Sequence, residues 1–298
     1  MRRPLLPLYL LVVSLGCCQG LNPSQATSSF DRVLWQKSSA AATPTTNPKS
    51  SPYDSAAALE AFFAPRFCSS CEVLSLDPPV VLMRGFLSPT HCAELVAAAE
   101  DEACEYGAGF VGSTVRSDQE DLQSVRTSST SWLNPANGEL PDGVHAILKD
   151  IDDRVGAICG VPRHHLESLQ CVRYREGERY NYHLDTIEEY NNFPCGGRLA
   201  SCLIFFNEDF DGGQTHFLEL GVRVTPEAGA ALFWFNCHLP FEMDELAANG
   251  SDAQAALLKK MRPDARSAHA GLPVTRGTKY AANKWVHSVR FVPKDNEQ

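Results

Sequence analysis

A histidine and an aspartate two positions apart, His183 and Asp185, close the stretch Tyr174-Arg-Glu-Gly-Glu-Arg-Tyr-Asn-Tyr-His-Leu-Asp185. In an extended segment, side chains at i and i+2 leave the same face, so the imidazole and the carboxylate converge on one point. Together they suit a borderline divalent cation. With one more histidine they make the facial set of two His and one carboxylate that holds non-haem Fe(II) and leaves coordination positions open. A His-x-Asp alone is also a common surface or hydrogen-bonded pair, so the third ligand decides between the readings. His216, His238, His269 and His287 all follow the pair, and only His269 has a lysine, Lys279, ten positions on. Residues 267–274 and 279–287 read as short strands, and Thr275-Arg-Gly-Thr278 between them has hairpin turn chemistry. The expected hairpin puts His269 and Lys279 on neighbouring strands. A metal then has its third ligand, and a fixed cation stands deeper, ready for the far carboxylate of a dicarboxylic co-substrate.

Five segments in register extend the pattern: Tyr174-x-x-Gly-Glu-x-Tyr180-x-x-His183-x-Asp185, Gly196-Gly-Arg-Leu-Ala-Ser-Cys-Leu-Ile-Phe-Phe-Asn207, Gly212-Gly-Gln-Thr-x-Phe217, Gly229-x-Ala-Leu-Phe-Trp-Phe-Asn236 and His269-Ala-Gly-x-Pro-Val274. In this order they resemble the prolyl 4-hydroxylase-like branch of the Fe(II)/2-oxoglutarate dioxygenases, over nearly all of that catalytic domain, from about Val80 to Pro293. The resemblance implies that His183, Asp185 and His269 bind Fe(II) while 2-oxoglutarate chelates the metal through its keto acid end. Lys279 would pair with the distal carboxylate, helped by Tyr174 and by Ser201, which stands where the family often has threonine. It implies O2 and ascorbate as further requirements, succinate and CO2 as products, and hydroxylation of a peptidyl proline at C4. Lysine as the anchor agrees with this branch. By the same resemblance Arg126 and Ser128, in Arg126-Thr-Ser-Ser129, contact a proline-containing peptide, and Tyr180 and Trp285 lie near it. Each also has a purely structural reading, as strand hydroxyls satisfying backbone or as packing aromatics, and Arg198 reads as structural. His164-His165 reads as solvated loop. Competing functions are a dioxygenase for another residue or a small molecule, and a jelly-roll module that binds metal without turnover. The complete set of His183, Asp185, His269 and Lys279 speaks against the second.

Positioning these groups takes a scaffold. After Gln170 the chain reads as short strands divided by Gly-rich turns, which argues for a sandwich or barrel. The resemblance specifies a double-stranded β-helix, or jelly-roll, so the expected class is mainly β with flanking helices (α+β). A strand from Pro79 leads into a helix with Ser88 as N-cap and Pro89 at N1. Residues 125–133 are rich in β-formers. Val144, Ile147, Leu148, Ile151, Val155 and Ile158 recur at helical spacing, predicting an amphipathic supporting helix over 142–159. The insertion at about 237–266 exceeds the family's usual connection; within it 242–261 looks helical, at the mouth of the site.

The 298 residues accommodate one catalytic domain, here 76–298, plus extensions. A net charge of −10 argues against nucleic acid as a partner, since binding phosphates needs a basic surface. Met1-Arg-Arg-Pro and the short apolar run that follows read as a secretory signal at 1–20, or as an uncleaved anchor that would tether the enzyme to a membrane. Residues 21–75 read as a flexible Ser/Thr/Pro/Ala-rich tether with a short helix at 56–63. Of eleven cysteines nine lie beyond the signal, which suits an oxidising compartment, with Cys68-Ser-Ser-Cys71 read as a structural disulfide. Asn249-Gly-Ser251 is the glycosylation sequon. The expected location is the secretory pathway, in the lumen or membrane of the endoplasmic reticulum. The chain ends Asp-Asn-Glu-Gln, so that expectation does not draw on a retention tetrapeptide. Oligomeric state is open.

Overall fold

In a computed structural model the chain is described at residues 55–64, 66–101, 109–113, 126–134, 140–238 and 261–291. The signal or anchor, the sequon at Asn249 and nearly all of the helix expected over 242–261 lie outside the described residues.

Among the described residues fourteen strands fall into two facing sheets and a two-stranded ribbon. The large sheet runs β1 (Ser70–Leu76), β2 (Pro79–Arg84), β11 (Ala231–Phe235), β7 (Arg198–Phe205), β14 (Lys279–His287), β5 (Leu169–Tyr174), β4 (Ser129–Leu133), β3 (Val111–Gly112), antiparallel throughout. The smaller sheet runs β10 (Val222–Val224), β9 (Thr215–Phe217), β12 (His269–Gly271), β6 (Tyr180–His183). β13 (Val274–Arg276) pairs with β8 (Asp211–Gly212). This mainly antiparallel double-sheet arrangement is the expected jelly-roll.

Alternation along the large sheet sends its two faces to two different cores. Val80, Leu82, Val172, Tyr174, Leu203, Phe205, Leu232, Trp234 and Ala281 meet Phe217 and Val224 of the smaller sheet in the inter-sheet space. The opposite face, with Val81, Met83, Cys171, Ile204, Phe233 and Val286, is covered by helices. These are α1 (Ala56–Phe63), α2 (Pro89–Glu100) and α3 (Asp142–Cys159). All six apolar positions that predicted α3 are buried, and Gly160 in the left-handed conformation ends it. Ser88 caps α2 by accepting from His91 N–H at 3.1 Å, with Pro89 in the first turn.

Three expectations are corrected. Residues expected to belong to the tether, upstream of 76, pack into the fold. α1 buries Leu59 and Phe63 completely, with Phe63 5.9 Å from Phe233, and β1 pairs with β2 from Ser70 to Leu76. Residues 56–64 and 66–76 are therefore part of the fold and not tether. The hairpin expected from 267–287 does not form: β12 pairs with β6 and β9, β13 with β8, and β14 with β5 and β7. Successive strands of a double sheet change partners across the sandwich, so turn chemistry at Arg276-Gly277 does not imply pairing of the flanking strands. Finally, Cys68 and Cys71 form no disulfide, and the described cysteines mostly lie buried. Most fill core positions as small apolar groups. Cys68 and Cys71 instead donate to the α1 carbonyls of Phe63 and Glu60.

Candidate metal centre

β6 and β12 are antiparallel neighbours with His183 directly opposite His269, so the register of a single strand pair brings the two imidazoles together, 4.4 Å between ring centroids. β6 ends at His183, and Asp185 stands two residues on, just beyond the strand. Its Oδ1 lies 3.6 Å from His183 Nε2 and its Oδ2 3.9 Å from His269 Nε2. One ligand atom from each of the three lies within 4.8 Å of the others.

The outer nitrogens fix which ring atoms are free. His183 Nδ1 is 2.8 Å from the Asn181 carbonyl and His269 Nδ1 is 3.0 Å from the Ser267 carbonyl. A carbonyl only accepts, so both Nδ1 atoms carry the proton and both Nε2 lone pairs turn toward Asp185. Burial, followed by the neighbouring His183, pushes His269 down to about 4, which keeps it a neutral ligand. Asp185 Oδ2 accepts from Ser201 Oγ at 2.5 Å, and Ser201 Oγ accepts from Asn236 Nδ2 at 2.9 Å. Three donors of this chemistry, each oriented by a second hydrogen bond, fit a divalent iron ion. His269 is walled by Trp234 at 4.7 Å and Phe217 at 5.5 Å.

Lys279 stands on the large sheet, directly opposite Tyr174 across the β14–β5 pair. It is 3% exposed, donates to the Gly213 carbonyl at 2.6 Å, and lies 5.6 Å and 5.5 Å from the Tyr174 and Phe205 rings. Among the described residues no carboxylate lies within ion-pair distance of it. Desolvation drops its pKa to about 7. The metal-facing histidines and this ammonium thus belong to opposite sheets and face one inter-sheet space.

Ser201 sits with Asp185 rather than with Lys279, where it was expected. A residue missed in the sequence also turns toward the inter-sheet space. Thr215 lies two positions before Phe217 on β9 and so on the same inner face, and among the described residues its buried Oγ1 has no hydrogen-bond partner. Parity with Phe217 in Gly212-Gly-Gln-Thr-x-Phe217 was the available signal.

On the other side of the triad, Tyr180 stacks on His183 at 3.6 Å and 16°, and Arg126 lies 4.8 Å from the Tyr180 centroid. Arg126 Nε donates to Ser128 Oγ at 2.7 Å, and Ser128 shares a 2.9 Å hydrogen bond with Ser113. Arg198 lies 3.5 Å from the Trp285 centroid and makes two hydrogen bonds to Glu167, at 2.6 and 3.0 Å; Glu167 also takes His287 Nε2 at 2.7 Å. Burial alone would raise Glu167, but Arg198 and His287 outweigh it and hold its carboxyl at about 2. Arg198 reads as structural in the sequence, but Glu167 and the cluster it forms with Arg198 and His287 were not legible there, because no local spacing links the three. His164 and His165 stand apart from the triad, with His165 against the His287 carbonyl.

The profile of the 2OG-Fe(II) oxygenase superfamily matches residues 169–287. Probable prolyl 4-hydroxylase 3 of Arabidopsis thaliana is 31% identical over 230 residues, covering 72% of this chain and 71% of that protein. Prolyl 4-hydroxylase 5 of the same plant is 28% identical over 228 residues, covering 74% and 72%. The viral collagen prolyl hydroxylase of Paramecium Bursaria Chlorella virus-1, solved with 2OG, superposes with a TM-score of 0.50 at 22% identity, over 70% of this chain and 96% of its own, which shows a shared fold.

Proposed function

Because the chain belongs to the prolyl 4-hydroxylase-like branch of the 2OG-Fe(II) oxygenases, enzymes that use Fe(II), 2-oxoglutarate and O2, we propose that this dioxygenase hydroxylates peptidyl proline at C4. The observation that carries the reading is the buried, uncompensated Lys279 facing the same space as His183, Asp185 and His269. An ammonium without counter-charge is costly in an apolar interior, so the cavity is built for an anion.

His183, Asp185 and His269 would hold the iron through two Nε2 atoms and one carboxylate, with Ser201 and Asn236 fixing the carboxylate. Lys279, with Tyr174 and Thr215, would orient the distal carboxylate of 2-oxoglutarate. Bound there, iron would use O2 and 2-oxoglutarate as the oxidising chemistry, one oxygen atom of O2 going to succinate as CO2 leaves and the other into a C–H bond of the substrate. Phe217, Trp234 and Phe205 exclude water from that space. Arg126, Ser128, Tyr180 and Trp285 would line the side from which the peptide enters; Arg126 and Ser128 offer polar contacts to its backbone, and Tyr180 and Trp285 offer flat faces to a pyrrolidine ring. Ascorbate would keep the metal reduced between turnovers. We place the enzyme in the secretory pathway, on the strength of the apolar N terminus and the sequon at Asn249.

The test is incubation of the purified protein with Fe(II), ascorbate, 2-oxoglutarate and a panel of proline-rich peptides. The expected result is a gain of one oxygen atom on proline by mass spectrometry, matched by succinate. Consumption of 2-oxoglutarate with no peptide modified would remove the prolyl assignment.

A further inference from the structure

On the helix side of the large sheet one ion pair has no part in the site described so far. Lys284 of β14, 2% exposed, meets Asp152 of α3, and its Nζ also donates to the backbone carbonyl of Glu167 at 2.5 Å. A buried ion pair is a weak stability device, because apolar side chains of similar volume often serve as well. No apolar side chain, however, could donate to that carbonyl. We propose that Lys284, held by Asp152, is a positioning residue for the peptide-facing wall of the site, acting through Glu167; this rests on the peptide hydroxylase reading above.

Glu167 precedes β5 and lies outside the strand ladder, so its place depends on individual contacts. Its N–H donates to the Trp285 carbonyl at 3.1 Å, and its own carbonyl takes Lys284. Consecutive residues of β14 thus grip one backbone unit. From there the Glu167 carboxylate fixes the Arg198 guanidinium in a fork and engages His287, and Arg198 covers Trp285. Trp285 faces the cavity while Lys284, its neighbour, faces α3, as alternation requires. The line from α3 to the indole is Asp152, Lys284, Glu167, Arg198, Trp285, and each link is a hydrogen bond, ion pair or stacking contact. A shift of the Glu167 carbonyl would move the fork and hence the plate on which a substrate ring would rest.

Lys284→Met alone strands a buried carboxylate and confuses folding with positioning, so the informative variant is Lys284→Met with Asp152→Asn, beside Lys284→Arg, which keeps a charged donor. In the double variant the KM for a proline peptide should rise about 10-fold while kcat and the KM for 2-oxoglutarate stay within about twofold, and Lys284→Arg should recover most of the loss. The nitrogen-15 NMR signal of Arg198 Nε–H should exchange with solvent about 10-fold faster in the double variant. Unchanged peptide KM and unchanged exchange would overturn the proposal, and so would a uniform fall in kcat with KM intact. If no proline peptide is hydroxylated by the parent protein, the prolyl reading fails on its own, and the Arg198 exchange rate still decides the positioning claim.

Discussion

Lys279 is held out of water, bonded to the Gly213 carbonyl and, among the described residues, with no carboxylate beside it, and its chemistry follows from that. Its pKa of about 7, against 10.5 in water, means that the empty site loses its cation as pH rises through neutrality. A bound carboxylate pushes the pKa back up, so between the two values binding takes up one proton. The sign is therefore fixed: 2-oxoglutarate should bind well below about pH 7 and about tenfold more weakly for each pH unit above it, by linkage. Calorimetric titration of the Mn(II)-loaded protein should give about a 50-fold weaker Kd near pH 9 than near pH 7. Lys279→Ala should bind about 10- to 100-fold more weakly near pH 7 and show no such slope. A pH-independent Kd in the parent would take Lys279 out of the anchor role. At this scale much was legible. His183 and Asp185 converge because two-residue spacing brings them to one side, although the strand ends between them. Ser201 was identified as a site residue, but its hydrogen bond to Asp185 was not legible, because sequence gives the strand face and not the partner across it.

The elements that carry these residues were legible where burial is one-sided. α3 announced itself because its outer face is polar and its inner face is a continuous apolar stripe. β1 did not, since it is an edge strand whose residues are mostly half-buried or exposed and lack a clean alternation. α1 was noticed but misjudged: Leu59 and Phe63, four apart, form one short apolar face, which a Ser/Thr/Pro-rich approach obscured. The consequence can be measured. Phe63→Ala should destabilise the domain by about 3–5 kcal/mol, the cost of emptying a fully buried aromatic site beside Phe233. Urea unfolding followed by circular dichroism reads this directly, and a change under about 0.5 kcal/mol, normal for a surface site, would return α1 to the tether.

For the whole molecule, the sandwich was legible from five motifs in order, but the assignment of each strand to a sheet was not. Strand pairing joins segments distant in sequence, and β12 and β14 look like a hairpin until β6, β9, β5 and β7 are seen to claim their edges. That division matters to stability. His183 and His269 belong to the smaller sheet, while Asp185 is tied through Ser201 to β7 of the larger one, so a metal at this point cross-links both layers. A ligand that binds only the folded state stabilises by mass action, about 2.7 kcal/mol at 100 times its Kd. For a domain of this size that corresponds to a rise in Tm of about 5–10 °C. Differential scanning fluorimetry with saturating Mn(II) or Co(II) against a chelator should show this rise in the parent. His269→Ala should lose most of the shift while keeping a chelator-treated Tm close to the parent's, and should lose iron-dependent decarboxylation of 2-oxoglutarate altogether. An equal metal-induced shift in His269→Ala would mean that the ion binds elsewhere and that the two sheets are joined by packing alone.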